Sequence, residues 1–164
     1  SSKLEISQKG YYQDEVFGNS GPIPPSAGQT TTYTVSWQAK NYYSDVKSVK
    51  IKAVLPSSAE LTGKVFPEEG AQKFSFDSQS REVTWLVGDM GRGQGVSDLG
   101  PNISFQVAFT PGNDQKGRTP DIISQAEISG EDTWTESIIE SKAIPINTTL
   151  PDDKTMAGST GVVQ

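Results

Sequence analysis

From Thr32 to Lys40 polar and apolar residues alternate strictly, with Tyr33, Val35, Trp37 and Ala39 set between Thr32, Thr34, Ser36, Gln38 and Lys40. Residues two apart in an extended chain share a face, so this run reads as a strand with an apolar side toward a core and a polar side toward water. A second run, Val46 to Leu55, stops at Pro56, while Pro24-Pro25 and Gly28 precede the first. The reading puts both runs in one sheet of a sandwich. Shorter runs recur with turn residues between them: Lys73 to Phe76, Glu82 to Val87, Ile103 to Phe109, Ile122 to Ser129, Thr133 to Ser141 and Ala143 to Thr149, after a short first strand around Leu4 and Ile6. Ile103 to Phe109 alternates most cleanly and is expected to lie centrally, and Asp77-Ser78-Gln79-Ser80 is expected to turn a hairpin. No segment shows helical periodicity. The expected class is all-β: an antiparallel sandwich with extended terminal segments.

A chain of 164 residues can bury one two-layer core, and its three Trp, five Tyr and six Phe supply large anchors for it. The sandwich is assigned to residues 1–150. Residues 151–164 are assigned to a tail or linker, because Pro151-Asp152-Asp153-Lys154 and Gly158-Ser159-Thr160-Gly161 break the strand pattern.

The chain has no Cys and no His, which removes thiolate nucleophiles, thiolate zinc sites, imidazole acid–base catalysis and the Ser-His-Asp triad. The acid pairs Glu68-Glu69, Glu131-Asp132 and Asp152-Asp153 are sequence neighbours, not the facing carboxyls that glycoside hydrolysis needs. No catalytic residue is assigned, and the protein is not expected to be an enzyme. A net charge of -6, with Lys scattered among acids, argues against a nucleic-acid partner. No apolar run is long enough for a signal peptide or a membrane span. The opening Ser1-Ser2-Lys3 without Met suggests a processed protein or an excised segment, with any anchor outside these residues.

Three sets of residues are candidates for function. Trp37 and Trp85 fall at inward strand positions and are assigned to the core, whereas Tyr42 and Tyr43 follow Asn41 in a strand-end loop and Trp134 follows an expected turn at Gly130-Glu131-Asp132. Tyr42, Tyr43 and Trp134 are therefore the candidate ligand-binding aromatics, with a partly buried corner as the competing reading. No cofactor is expected, and calcium is the one ion the acids would suit, at Asp152 with Asp153 or at Asp77 with Asp89. Gly91-Arg92-Gly93-Gln94-Gly95 lacks the Lys and Ser/Thr of a phosphate loop and reads as a flexible connection. Leu4 with Ile6, Ile144 with Ile146, and Val162 with Val163 are candidate assembly residues, on extended arms able to add to an open sheet edge of a neighbour.

The order Pro24 to Trp37, Val49 to Pro56, Phe76-Asp77-Ser78 with Val83-Thr84-Trp85, and Gly88-Asp89-Met90 resembles a repeat module of unknown function found in large surface proteins of bacteria and archaea. The resemblance covers roughly Ile23 to Ile139. It is closer to variants at the ends of long surface proteins of ultra-small, little-cultured bacteria, through Asn19 to Pro25, Ser104 to Pro111 and Gly161 to Val163. Ala53-Val54 stands where the pattern has an aspartate, and the segment Gly91 to Gly100 is longer than usual. The resemblance implies an immunoglobulin-like sandwich at the cell surface, in a stalk, filament or adhesive structure. Its partners would be further copies of the chain or adjacent domains of a larger surface protein. A carbohydrate-binding or adhesin module is the alternative.

Overall fold

In the computed structural model, which describes residues 2–164, the strands in chain order are β1 (Leu4–Tyr11), β2 (Thr31–Asn41), β3 (Val46–Val54), β4 (Ala59–Phe66), β5 (Phe74–Phe76), β6 (Glu82–Met90), β7 (Asn102–Phe109), β8 (Asp121–Ile123), β9 (Ala126–Asp132), β10 (Ile138–Ala143) and β11 (Ile146–Asn147). One sheet has the order β1-β2-β7-β4 and the other β10-β9-β3-β6-β5, with β11 and β8 paired as a small ribbon. All pairings are antiparallel. The antiparallel sandwich expected from the strand pattern is the observed fold.

The inward face of β2 is the run read from the sequence: Tyr33, Val35, Trp37 and Ala39 are fully buried, beside Ile103, Phe105, Val107 and Phe109 of the central strand β7. Ile51 and Ala53 of β3, Val83 and Trp85 of β6, and Ile128 of β9 face them from the other sheet. Trp37 meets Phe105 edge-on at 4.9 Å between ring centroids, and its indole N–H donates to Gln8 Oε1 at 2.8 Å. Asp77 turns the β5–β6 hairpin, its Oδ1 accepting from the backbone N–H of Gln79 at 2.9 Å.

Three expectations need correction, and one strand, β4, lies outside every expected run. β2 and β3 belong to opposite sheets, because residues 42–45 carry the chain across the sandwich and the two apolar faces meet instead of lying side by side. β4 lacks a clear alternation: it is mostly solvent-exposed and bulged between Leu61 and Val65, where Gly63 takes φ +93°. The run Ile122 to Ser129 is cut at Ser124, whose N–H and Oγ are both spent on the backbone of Val54, so β8 leaves the main sheet. Gly130-Glu131-Asp132 continues β9 instead of turning. A Cβ at position 130 would lie 2.5 Å from Val46 Cγ1, so the glycine lets the strand pass against β3, and the turn falls at residues 133–137.

β2 runs the length of the body and defines two ends. At the loop end, Asn41 faces Leu4 and Val46 faces both Met90 and Asp132. At the tail end, Thr31 faces Phe109, and Gly28 donates its N–H to Pro111 O. The C-terminal segment docks there: Val163 is buried and exchanges backbone hydrogen bonds with Gly117 and Arg118, and Gln164 does so with Pro25 and Ala27.

Candidate functional site

Three connections meet at the loop end: residues 42–45 between β2 and β3, residues 91–101 between β6 and β7, and the 133–137 turn between β9 and β10. Two buried polar side chains fix them. Asn41 Nδ2 donates to the carbonyls of Ser44, Met90 and Gly91 at 2.8, 3.1 and 3.1 Å, tying the first connection to the second. Asp132 ties the first to the third: Oδ1 accepts from the N–H groups of Trp134 and Thr135 at 2.8 and 3.0 Å, and Oδ2 from Ser44 Oγ at 2.8 Å and from Ser2 Oγ. These donors, the Thr135 N–H foremost and the Ser44 hydroxyl next, hold the Asp132 carboxyl below the usual aspartate range despite its burial. Asp45 adds a further tie, accepting from Arg92 N at 2.9 Å through its carboxylate and from Thr133 N at 3.0 Å through its carbonyl.

On this frame Tyr43, Ser44, Asp45, Gly91, Arg92, Thr133 and Trp134 line an open concavity of about 640 Å³. Tyr43 is 55% exposed and Trp134 88%, which corrects the reading of these aromatics as a partly buried corner. An apolar ring of that size held in water by a rigid turn offers a stacking face, with the Arg92 and Asp45 side chains as polar neighbours. Tyr42 is set differently. Its ring lies 5.8 Å from that of Tyr43, but its hydroxyl donates to Glu5 Oε2 at 3.0 Å and Lys3 Nζ sits 4.6 Å over its face, so it braces the start of β1.

The other candidates lie elsewhere. Leu4, Ile146 and Val163 are buried within their own chain, Ile6 and Val162 are half-buried, and Ile144 is 75% exposed. The arm Leu4 to Gln8 is already paired with β2, and Ile146–Asn147 with β8. Both oxygens of Asp153 are occupied: Oδ2 accepts from the N–H groups of Tyr12 and Gln13, each at 2.8 Å, and Oδ1 from Thr155 N and Oγ1 at 3.0 and 2.6 Å. Burial pushes this carboxyl upward, but the Thr155, Gln13 and Tyr12 donors outweigh it and hold it low. Asp152 reaches Gly10 N at 3.3 Å. Asp77 and Asp89 sit at opposite ends of β6, and among the described residues no cluster of three acids is placed to hold a metal.

Sequence reasoning missed Asn41, Asp132 and Gln8 as organising residues. Gln8 carried a readable signal, since it stands in phase with Leu4 and Ile6 on the inward side of β1. A polar residue there must find partners, and it does: besides accepting from Trp37, it donates to Ser124 O and Ile144 O, both at 3.0 Å.

The sequence matches no family model and no curated protein. The fold is similar to that of BcpA, the major pilin subunit of Bacillus cereus. Two crystal structures of that pilin, one of a point variant, superpose with TM-scores of 0.50 and 0.51 at 13% and 15% sequence identity, over 88% of this chain and 39% and 40% of theirs. The full-length major pilin SpaD of Corynebacterium diphtheriae aligns over 88% of this chain and 34% of its own, at 11% identity and a TM-score of 0.46. The chain thus spans about two fifths of the BcpA chain. The BcpA likeness bears out the immunoglobulin-like sandwich; at this identity it speaks to fold alone. No helix among the described residues is long and apolar enough to cross a membrane.

Proposed function

We propose that the chain is a non-catalytic structural module of an extracellular surface assembly, a stalk repeat or filament subunit joined to its neighbours through its terminal segments. The placement of those segments carries the reading. Ser2 lies at the loop end against Asp132 and Ser44, and Gln164 at the tail end against Pro25 and Ala27, with the strands between them. At about 3.4 Å per residue, the eleven residues of β2 span about 34 Å from one end to the other. A load entering through one terminal segment and leaving through the other runs along the strands. It shears β1 against β2, where eight paired residues resist together instead of opening one at a time.

The BcpA-like fold supports this reading, as does a chain with no His or Cys for acid–base or thiol chemistry. An antibody to the purified chain tests it on the source organism. Labelling of intact cells, in patches or threads that stand off the envelope, is the expected result; labelling that needs lysis would overturn the surface assignment.

The concavity at Tyr43 and Trp134 favours a second reading, a carbohydrate-binding or adhesin module. Binding to a glycan panel that is lost in Trp134→Ala, with unfolding unchanged, would establish it. Absence of any glycan binding by the intact chain would remove it.

A further inference from the structure

Three of the most exposed large apolar side chains in the protein lie on one stretch: Trp134 at 88%, Ile138 at 69% and Ile144 at 75%. That stretch enters and leaves β10, the last strand of the five-stranded sheet. The other edge strands are protected by different means. β4 is bulged and carries Lys64 at the bulge, and β5 is three residues long. β1 has side chains on the backbone at its two ends, Ser141 Oγ on Leu4 O at one, and Asp152 on Gly10 N with Asp153 on Tyr12 N, just past the strand, at the other. β10 is six residues long and pairs with β9 from Ile138 to Ala143 without a bulge.

The hydrogen-bond phase of that pairing shows what the free edge presents. Asp132 N donates to Ser137 O, so the 132–137 pair is hydrogen-bonded, and by alternation Ile139, Ser141 and Ala143 bond to β9. The N–H and C=O groups of Ile138, Glu140 and Lys142 therefore point outward, and the side chains of the same residues are solvent-exposed. The order apolar, acid, base, apolar at positions 138, 140, 142 and 144 is self-complementary when reversed.

We propose that β10 is the interface for a second copy of this chain, paired antiparallel about a twofold axis through Ser141. In that register Glu140 faces Lys142 of the second copy, Lys142 faces its Glu140, and Ile138 and Ile144 face its Ile144 and Ile138. Only registers that set even positions against even positions match the outward backbone groups. Shifting the axis to Glu140 sets Glu140 against Glu140, and shifting it to Lys142 sets Lys142 against Lys142, so charge selects the Ser141 register from its neighbours. Lys142 already bridges to Glu127 at 3.9 Å, an exposed contact that leaves the ammonium free to serve a second carboxylate. Ile144 O holds the Gln8 amide at 3.0 Å, which fixes the end of the edge against the body. The result is an isologous pair with one continuous ten-stranded sheet. It names a strand and a register that the surface-module reading does not, and it stands independently of that reading.

Light scattering of the full chain over a concentration series up to the millimolar range tests this, with Glu140→Lys and Lys142→Glu measured alone and mixed. The wild type should show a monomer–dimer equilibrium. Each variant alone places like charges in both central pairs and should weaken the dimer about tenfold or more. The equimolar mixture sets a chain with two bases at these positions against a chain with two acids and should restore it. Thermal melts identify any variant that fails to fold, and the double variant E140K/K142E, which keeps opposite charges opposed, should dimerise as the wild type does. A wild type that stays monomeric throughout overturns the proposal, as does a dimer insensitive to either substitution or one that the mixture fails to rescue. Surface labelling with a monomeric chain would sink the β10 pairing and leave the surface module standing.

Discussion

β1 and β10 are edge strands of opposite sheets on the same flank of the sandwich, yet the chain treats them in opposite ways. The backbone at the two ends of β1 is met by Ser141, Asp152 and Asp153, and the Gln8 side chain in its middle bridges across to Ser124 and Ile144. β10 keeps a regular, uncovered edge between two exposed isoleucines. An open row of N–H and C=O groups invites pairing with another chain, so the side chains set on the ends of β1 and the regular row of β10 mark the two edges as different. The difference separates holding the body together from meeting something outside it. Substitutions in the two edges should accordingly give different kinds of effect.

The largest effect is expected at Gln8. Gln8→Ala strands the indole N–H of Trp37 inside the core and removes the donor from two carbonyls, and at about 1–3 kcal/mol for each buried group left unpaired the loss should be about 3–4 kcal/mol. Urea unfolding followed by Trp fluorescence measures it. A loss under about 1 kcal/mol would mean that the amide does not lock the flank. Asp153→Ala comes next. It frees the N–H groups of Tyr12 and Gln13 at the end of β1 and unties the turn at Thr155, for about 2–3 kcal/mol. Asp152→Ala removes a single 3.3 Å contact and should stay below about 1 kcal/mol.

These sealing residues mark where the sequence could and could not be read. Alternation gave away β2 and β7, because each has a buried face of large side chains on every second residue. It failed for β4, whose buried positions are few, and at Gly130, where a residue type that usually turns a chain instead relieves crowding against Val46. Tyr43 and Trp134 were visible as loop aromatics, but their meeting depends on Asn41 and Asp132, which reach Met90 and Ser44 and so clamp connections distant in sequence. Such long-range hydrogen bonds leave no local pattern. The edge character of β10 was equally hidden, since the run Thr133 to Ser141 reads as a strand whichever place it takes in a sheet.

Acid should find the sealed parts before the open edge. Asp132 and Asp153 are both held below the ordinary aspartate value of 3.8 by donors that exist only in the folded chain. A carboxyl with a depressed folded-state pKa contributes stability above its unfolded value and loses that contribution as pH falls through the folded value. The urea midpoint should therefore be nearly level from neutral pH down to about 5 and fall below about 4. In Asp153→Asn the same acid limb should be shallower. An unchanged limb in that variant would show that the Tyr12 and Gln13 N–H groups do not favour the charged form of Asp153.

The smallest effect on stability, and the one that best sharpens the contrast between the edges, is expected at Glu140. Its side chain is exposed on an outward strand position, so Glu140→Lys should leave the unfolding free energy of the isolated chain within about 0.5 kcal/mol of wild type. A body sealed at β1 has no need of that charge. If the variant unfolds markedly earlier at a dilution where both chains are monomeric, then Glu140 is supporting its own sheet, and the charge pattern of β10 belongs to folding. If stability is unchanged while association at high concentration falls, the two edges have been separated by measurement, one acting within the chain and the other between copies.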